Sequence, residues 1–183
     1  MKKIVLAALL LAGITSTPSF ASTYISGSVG LAIPGEWNET GWPNEKFDNA
    51  VAWNGAVGND FGAYRLEAAL GYEKPAYQNS SSDNASILTV MANGYYDFDS
   101  GSKVIPYLMV GAGVADVDVS WSTEDSTSFV WQIGAGVGFK VNENVTLDLG
   151  YRYIKPEGLE CPNDHNDVSW NSQHLMAGVR YQF

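Results

Sequence analysis

The 183-residue chain is poor in cysteine, in basic residues and in long apolar runs. Its single cysteine, Cys161, excludes an internal disulfide framework. Ten Lys and Arg stand against twenty Asp and Glu, a net charge of −10, which leaves no footprint for nucleic-acid phosphates. Charged residues make up only 16% while 45% are hydrophobic, so the chain is no disordered acidic tail either. The longest internal apolar stretch, 104–115, is too short for a transmembrane helix and is broken by Pro106, Gly111 and Gly113.

The first residues are built differently. Lys2 and Lys3 precede an apolar run over 4–14, and Ser19 and Ala21 place small residues at the −3 and −1 positions of a cleavage site. That pattern predicts a secretory signal peptide over 1–21, cut before Ser22, and an exported domain over 22–183. No cysteine follows the run, so a lipoprotein anchor is not expected.

The exported part alternates with period two. Over 145–153, Val145, Leu147, Leu149, Tyr151 and Tyr153 share one face, and Thr146, Asp148, Gly150 and Arg152 share the other. Leu175, Ala177, Val179, Tyr181 and Phe183 repeat the scheme at the C-terminus. Such alternation predicts strands with one apolar face. Eight segments carry it: 23–33, 47–58, 63–73, 87–98, 103–115, 129–141, 145–154 and 173–183. The fifth is ambiguous in phase, because Tyr107, Leu108, Met109 and Val110 offer apolar residues to both sides.

The connections sort by length. Short turns follow the second, fourth and sixth segments, and long polar loops over 34–46, 74–86, 116–128 and 155–172 follow the others. Sorted loops and strands of about ten residues predict an all-β, eight-stranded, antiparallel up-and-down transmembrane barrel. Hydrocarbon supplies the cause, since a sheet there must close on itself to pair every backbone group. Aromatics at strand ends form the expected interface girdle: Tyr64, Tyr72, Tyr96, Phe98, Trp131, Phe139, Tyr151, Tyr153, Tyr181 and Phe183.

The polar face must then line a narrow bore. Arg65, Glu67, Lys140, Asp148, Arg152 and Arg180 fall on it and are expected to form an ion-paired plug rather than a pore. Other signals are weaker. Gly134, Gly136 and Gly138 recur every second residue with no helix following, so they are lumen-facing small residues rather than a phosphate loop. Asp116, Asp118 and Ser120 suggest a calcium loop, but Trp121 stands where such a loop needs glycine. Cys161 lies near His165 in a loop, which is not enough for a catalytic thiol. No catalytic, cofactor or metal site is expected.

Residues 106–114, 131–139, 147–153 and the ending 178–183 resemble the small eight-stranded outer-membrane barrels: OmpA-like proteins, opacity-type proteins and related surface antigens. Residues 65–67 and 95–98 resemble the third and fourth strands of the same group. The resemblance implies a monomer in the outer membrane of a Gram-negative cell, with loops outside and termini periplasmic. It also implies contact with outer-membrane lipid and lipopolysaccharide, and recognition of Phe183 by the barrel-assembly machinery. The expected role is non-enzymatic: adhesion or interaction through the loops, with a protein or glycan as partner, or envelope integrity. Trp37, Trp42, Tyr77, Trp121 and Trp170 among polar loop residues suit such contacts. Two alternatives remain: a lipid A-modifying hydrolase using His174 with Ser169 or Ser172, and a soluble lipocalin-like barrel with its apolar face inward.

The protein is expected in outer-membrane fractions, migrating differently in gels before and after boiling, because a closed sheet has no edge at which unfolding starts. Recovery as a soluble periplasmic protein would exclude the barrel. Epitopes beside Ser81 or Glu124 should be labelled on intact cells, and one beside Gly101 should not.

Overall fold

The computed structural model describes residues 21–35, 49–73, 85–99, 101–119, 126–157 and 171–183. The expected signal peptide, Cys161, His165, Ser169 and the loop aromatics Trp37, Trp42, Tyr77, Trp121 and Trp170 lie outside them, apart from Ala21. Eight strands follow in order: β1 (Ser22–Pro34), β2 (Ala50–Asp60), β3 (Tyr64–Glu73), β4 (Ala85–Asp97), β5 (Val104–Val119), β6 (Ser126–Lys140), β7 (Val145–Glu157) and β8 (Ser172–Gln182). Each pairs antiparallel with its neighbour in the chain, and β1 pairs with β8, closing an up-and-down barrel. No helix occurs among the described residues.

The period-two pattern explains which way each strand faces. Ile25, Val29 and Leu31 on β1, Leu66 and Leu70 on β3, and Leu147 and Leu149 on β7 are all exposed on the outer wall. Their inward neighbours are buried: Tyr24, Ala32, Arg65, Glu67, Thr146. This arrangement contradicts the lipocalin-like reading, which needs the apolar residues inside. An exposed belt of Leu, Val and Ile around a whole molecule belongs in lipid. The girdle aromatics share that outer wall, and several touch: Tyr64 with Tyr96 at 5.2 Å between ring centroids, Tyr96 with Phe98 at 4.8 Å, and Tyr181 with Phe183 at 5.2 Å.

Strand β5 resolves its own phase. Val104, Leu108 and Val110 face out, while Ile105 and Met109 are buried in the bore. It is also long: β5 has 16 residues and β6 has 15, against about 9–11 for a tilted membrane strand. Their ladder runs on to Val117 and Ser126, so Asp116 pairs with Thr127 in a strand where a loop was expected. The alternation in fact runs on, with Ala115, Val117 and Val119 against Asp116 and Asp118, so the loop expected over 116–128 rests on polarity and not on a break in the period. Asp116 and Asp118 therefore sit in β5 and not in a calcium loop.

The three short turns share one device. Asp60 Oδ1 accepts from the Gly62 N–H at 2.8 Å, Asp99 Oδ1 from the Gly101 N–H at 2.7 Å, and Asn142 Oδ1 from the Asn144 N–H at 2.9 Å. Each is a side chain mimicking a backbone turn. Gly62 and Gly101 hold φ of 93° and 77°, which glycine alone adopts freely.

Inward glycines make room for inward tyrosines. A Cβ on Gly136 or Gly150 would overlap the Tyr107 ring, which lies across β6 and β7 from its place on β5. At Gly150 the obstacle is the Tyr107 hydroxyl, whereas at Gly136 the added carbon also meets the ring and the Leu149 carbonyl. Gly150→Ala and Gly136→Ala should each lower stability by ~1–3 kcal/mol in urea unfolding. Tyr107→Phe should rescue the first and not the second, and Gly27→Ala on the open outer wall should change little.

Candidate functional site

The bore is built in two tiers. Toward the short turns it is polar. Arg65 on β3 donates through Nε to Asp97 Oδ2 at 2.7 Å and through Nη2 to Asp97 Oδ1 at 2.8 Å, a two-pronged pair with both residues buried. The fork matches the carboxylate, as arginine's planar geometry allows. Three rings surround this guanidinium: Tyr95 at 4.2 Å, Tyr107 at 5.2 Å and Tyr24 at 6.0 Å. Stacking of this kind stabilises a cation that burial would otherwise penalise.

Arg180 reaches in from the far wall. It sits on β8, diametrically opposite β4 in the ring, yet its Nη1 comes to 4.0 Å from Asp97 Oδ2. Its Nε lies 3.4 Å from Asp148 Oδ2 on β7, close enough for attraction but not aligned as a hydrogen bond. A cavity of about 30 Å³ beside Asp148 and Arg180 has room for one or two waters. The Arg180–Asp148 contact is thus softer than the Arg65–Asp97 pair.

Glu67 departs from the ion pair expected of it. No basic group among the described residues lies within 4.0 Å; its carboxylate instead accepts from the Tyr95 hydroxyl at 2.9 Å, Asn93 Nδ2 at 3.1 Å, Tyr24 at 3.2 Å and Ser26 at 3.3 Å. Four donors satisfy a buried carboxylate as well as one cation does. Lys140 departs further. It is exposed at the turn rim, where Nζ meets Asp99 at 3.0 Å, because its long side chain reaches water rather than the bore. Beyond the strands, the Asp99 carboxyl is held below the usual range, first by the Gly101 N–H and then by Lys140. Arg152 lies higher, bonded to the Asn54 amide oxygen at 3.2 Å once that amide is turned, with no carboxylate within 4.0 Å among the described residues.

Asp97 was missing from the sequence reading although its parity gave it away. Assigning Tyr96 and Phe98 to the outer girdle already turns Asn93, Tyr95 and Asp97 inward. Tyr95 follows the same parity and Tyr24 opposes Ile25, so only Tyr107, in the segment of open phase, lacks a face; what parity leaves unmarked for all three is that they surround Arg65.

Toward the long loops the bore holds two apolar clusters, Ala69, Ile87, Met91, Ala115 and Val130 in one and Ala32, Ala50, Ala52 and Met176 in the other, with Glu73, Gln132 and Arg152 beside them. His174 faces this tier, buried, with Nε2 3.0 Å from Glu73 Oε2 and 3.0 Å from Ser172 Oγ. Serine, histidine and a carboxylate thus meet, but on a single ring nitrogen. A triad needs the serine on one nitrogen and the orienting carboxylate on the other. The cluster also faces the bore rather than the bilayer where a lipid A substrate would lie. Both facts count against the hydrolase reading.

Comparison with known proteins agrees with this architecture. A family model described as "Outer membrane protein beta-barrel domain" matches residues 5–183. Outer membrane protein PagN of Salmonella typhimurium is 28% identical over 117 residues, 52% of this chain and 49% of that protein. The chain spans about half the length of the curated relatives first matched. Among solved structures, Neisserial surface protein A is 25% identical, with a TM-score of 0.68, covering 89% of this chain and 99% of the other. The attachment invasion locus protein Ail of Yersinia pestis, in complex with the heparin analogue sucrose octasulfate, is 22% identical with a TM-score of 0.51, covering 87% and 99%. At that identity the likeness to Ail concerns the fold alone.

Breaking the dry Arg65–Asp97 pair should be costly and breaking the rim pair should not. Asp97→Asn is expected to destabilise the barrel by ~3–5 kcal/mol in urea unfolding, because it strands a buried guanidinium. Asp148→Asn should cost less, given the space beside it. Lys140→Met, at an exposed pair, should stay within ~1 kcal/mol. Equal losses from Asp97→Asn and Lys140→Met would show that the plug carries no special energy.

Proposed function

The chain belongs to the outer membrane protein β-barrel family, and on that footing we propose that it is a non-enzymatic surface protein whose barrel is an anchor for its loops. Family membership and fold place it in the outer membrane of a Gram-negative cell. The observation that carries the proposal is how the bore is crossed: Arg180 comes within 4.0 Å of Asp97 from the opposite wall and Tyr107 lies across two strands, which supports a side-chain plug rather than a pore. What is left to act is the rim where β1, β3, β5 and β7 end, from which all the long connections leave. The single-nitrogen geometry at His174 supports the non-enzymatic part. Planar-bilayer recordings should accordingly show no sustained large conductance.

Partners follow from the same surface. Lipid and lipopolysaccharide meet the aromatic girdle, and Phe183, highly exposed beside Tyr181, suits recognition by the barrel-assembly machinery. The loop segments narrow the extracellular partner. Residues 36–48, 74–84, 120–125 and 158–170 carry ten Asp and Glu against Lys46 and Lys74 alone. Such loops repel a sulfated polyanion like the heparin analogue seen with Ail, and favour a protein surface or an uncharged glycan.

Cells displaying the wild-type barrel should bind protein or neutral-glycan surfaces more than heparin, and shortening 36–48 or 158–170 should abolish binding while leaving heat-dependent gel migration unchanged. A deletion strain that leaks periplasmic enzymes, and is sealed equally well by the loop-shortened barrel, would move the function from the loops to envelope integrity.

A further inference from the structure

The convergence on His174 Nε2, wrong for a triad, is the arrangement that a metal ion requires. Nε2 faces two oxygens at once, Ser172 Oγ at 3.0 Å and Glu73 Oε2 at 3.0 Å. Glu73 Oε2 is buried and makes no hydrogen bond, so despite its distance it stands off the axis along which a ring N–H would point. That is poor aim for a proton. It is the right aim for a shared cation, because each ligand of an ion lies off the line of the other's bond to it. Tetrahedral Zn²⁺, with bonds of about 2.0–2.2 Å, sets neighbouring ligand atoms roughly 3.3–3.5 Å apart, which a small rotation of these side chains reaches.

Closure of the barrel builds the cluster. β1 and β2 stand between β8 and β3, and the rungs that link them carry the buried residues Ala32, Ala50 and Ala52. Side chains this short leave His174 and Glu73 free to meet over them. We propose that His174 Nε2, Glu73 Oε2 and Ser172 Oγ form a binding site for a divalent cation of the zinc class, tying β3 to β8 at the loop end of the bore. Imidazole and carboxylate are both ordinary zinc ligands. The hydroxyl is a weaker third, so a position stays open to water and the ion is exchangeable rather than structural. Arg152 opposes His174 across the β7–β8 ladder and lines the same space as Glu73. Its charge repels the ion and holds the affinity below what the ligands alone would give. The site lies within the barrel, independent of what the loops bind.

The chain has two histidines, so ¹⁵N-histidine labelling of the untagged protein yields two imidazoles, with His165 assigned by its loss in His165→Ala. In the EDTA-treated barrel in nanodiscs, Zn²⁺ should shift the His174 ring nitrogens saturably. Mg²⁺ screens the acidic loops equally well but prefers oxygen ligands, and should leave His174 in place. Glu73→Gln should weaken Zn²⁺ at His174 about tenfold or more. Arg152→Gln should strengthen it, and Cys161→Ser should change nothing. Because the Zn²⁺–Mg²⁺ comparison uses the wild-type protein, it decides the matter even where a variant does not fold. An equal response to Mg²⁺, a response confined to His165, its loss in Cys161→Ser, or no saturable shift would overturn the proposal.

Discussion

A backbone amide in hydrocarbon can place its hydrogen bond only on another strand, and this protein's structure depends on that restriction. Eight strands pair in chain order until β1 meets β8, because any open edge would leave a row of unpaired groups in lipid. Closure fixes the two faces. The outer one must be apolar along its whole height, and the inner one inherits every polar side chain the alternation produces. Where soluble barrels gather their apolar residues inside, this one gathers Arg65, Glu67, Asp97, Asp148 and Arg180 there.

Those charges can stay in a narrow bore only if they are answered. Two kinds of answer occur side by side. Arg65 has a matched carboxylate and a cage of rings, a charged solution; Glu67 has two phenols, an amide and a hydroxyl, a neutral one. The inward glycines belong to the same economy of space, since Tyr107 reaches the centre only because Gly136 and Gly150 have no Cβ to stop it. A repeat that mimics a nucleotide-binding loop is thus a set of slots for a tyrosine and its polar neighbours.

How much of this the sequence reveals depends on which face lipid touches. Where it does, as from Val145 to Tyr153 or Leu175 to Phe183, alternation locates strand, face and girdle together. Above the lipid polarity misleads instead: the extensions of β5 and β6 pass through Asp116 and Thr127, where the alternating stretch 115–119 looks like a polar loop. Within the bore, parity tells which residues point inward but not which of them meet. Arg65 pairs with Asp97 on the neighbouring strand rather than across the barrel, and Lys140, with the right parity, escapes to the rim. Partner choice there depends on strand stagger and side-chain reach, neither of which is written in a single sequence. The Glu73–His174 contact joins β3 to β8, which the chain separates by about a hundred residues, and only the closed register brings them together.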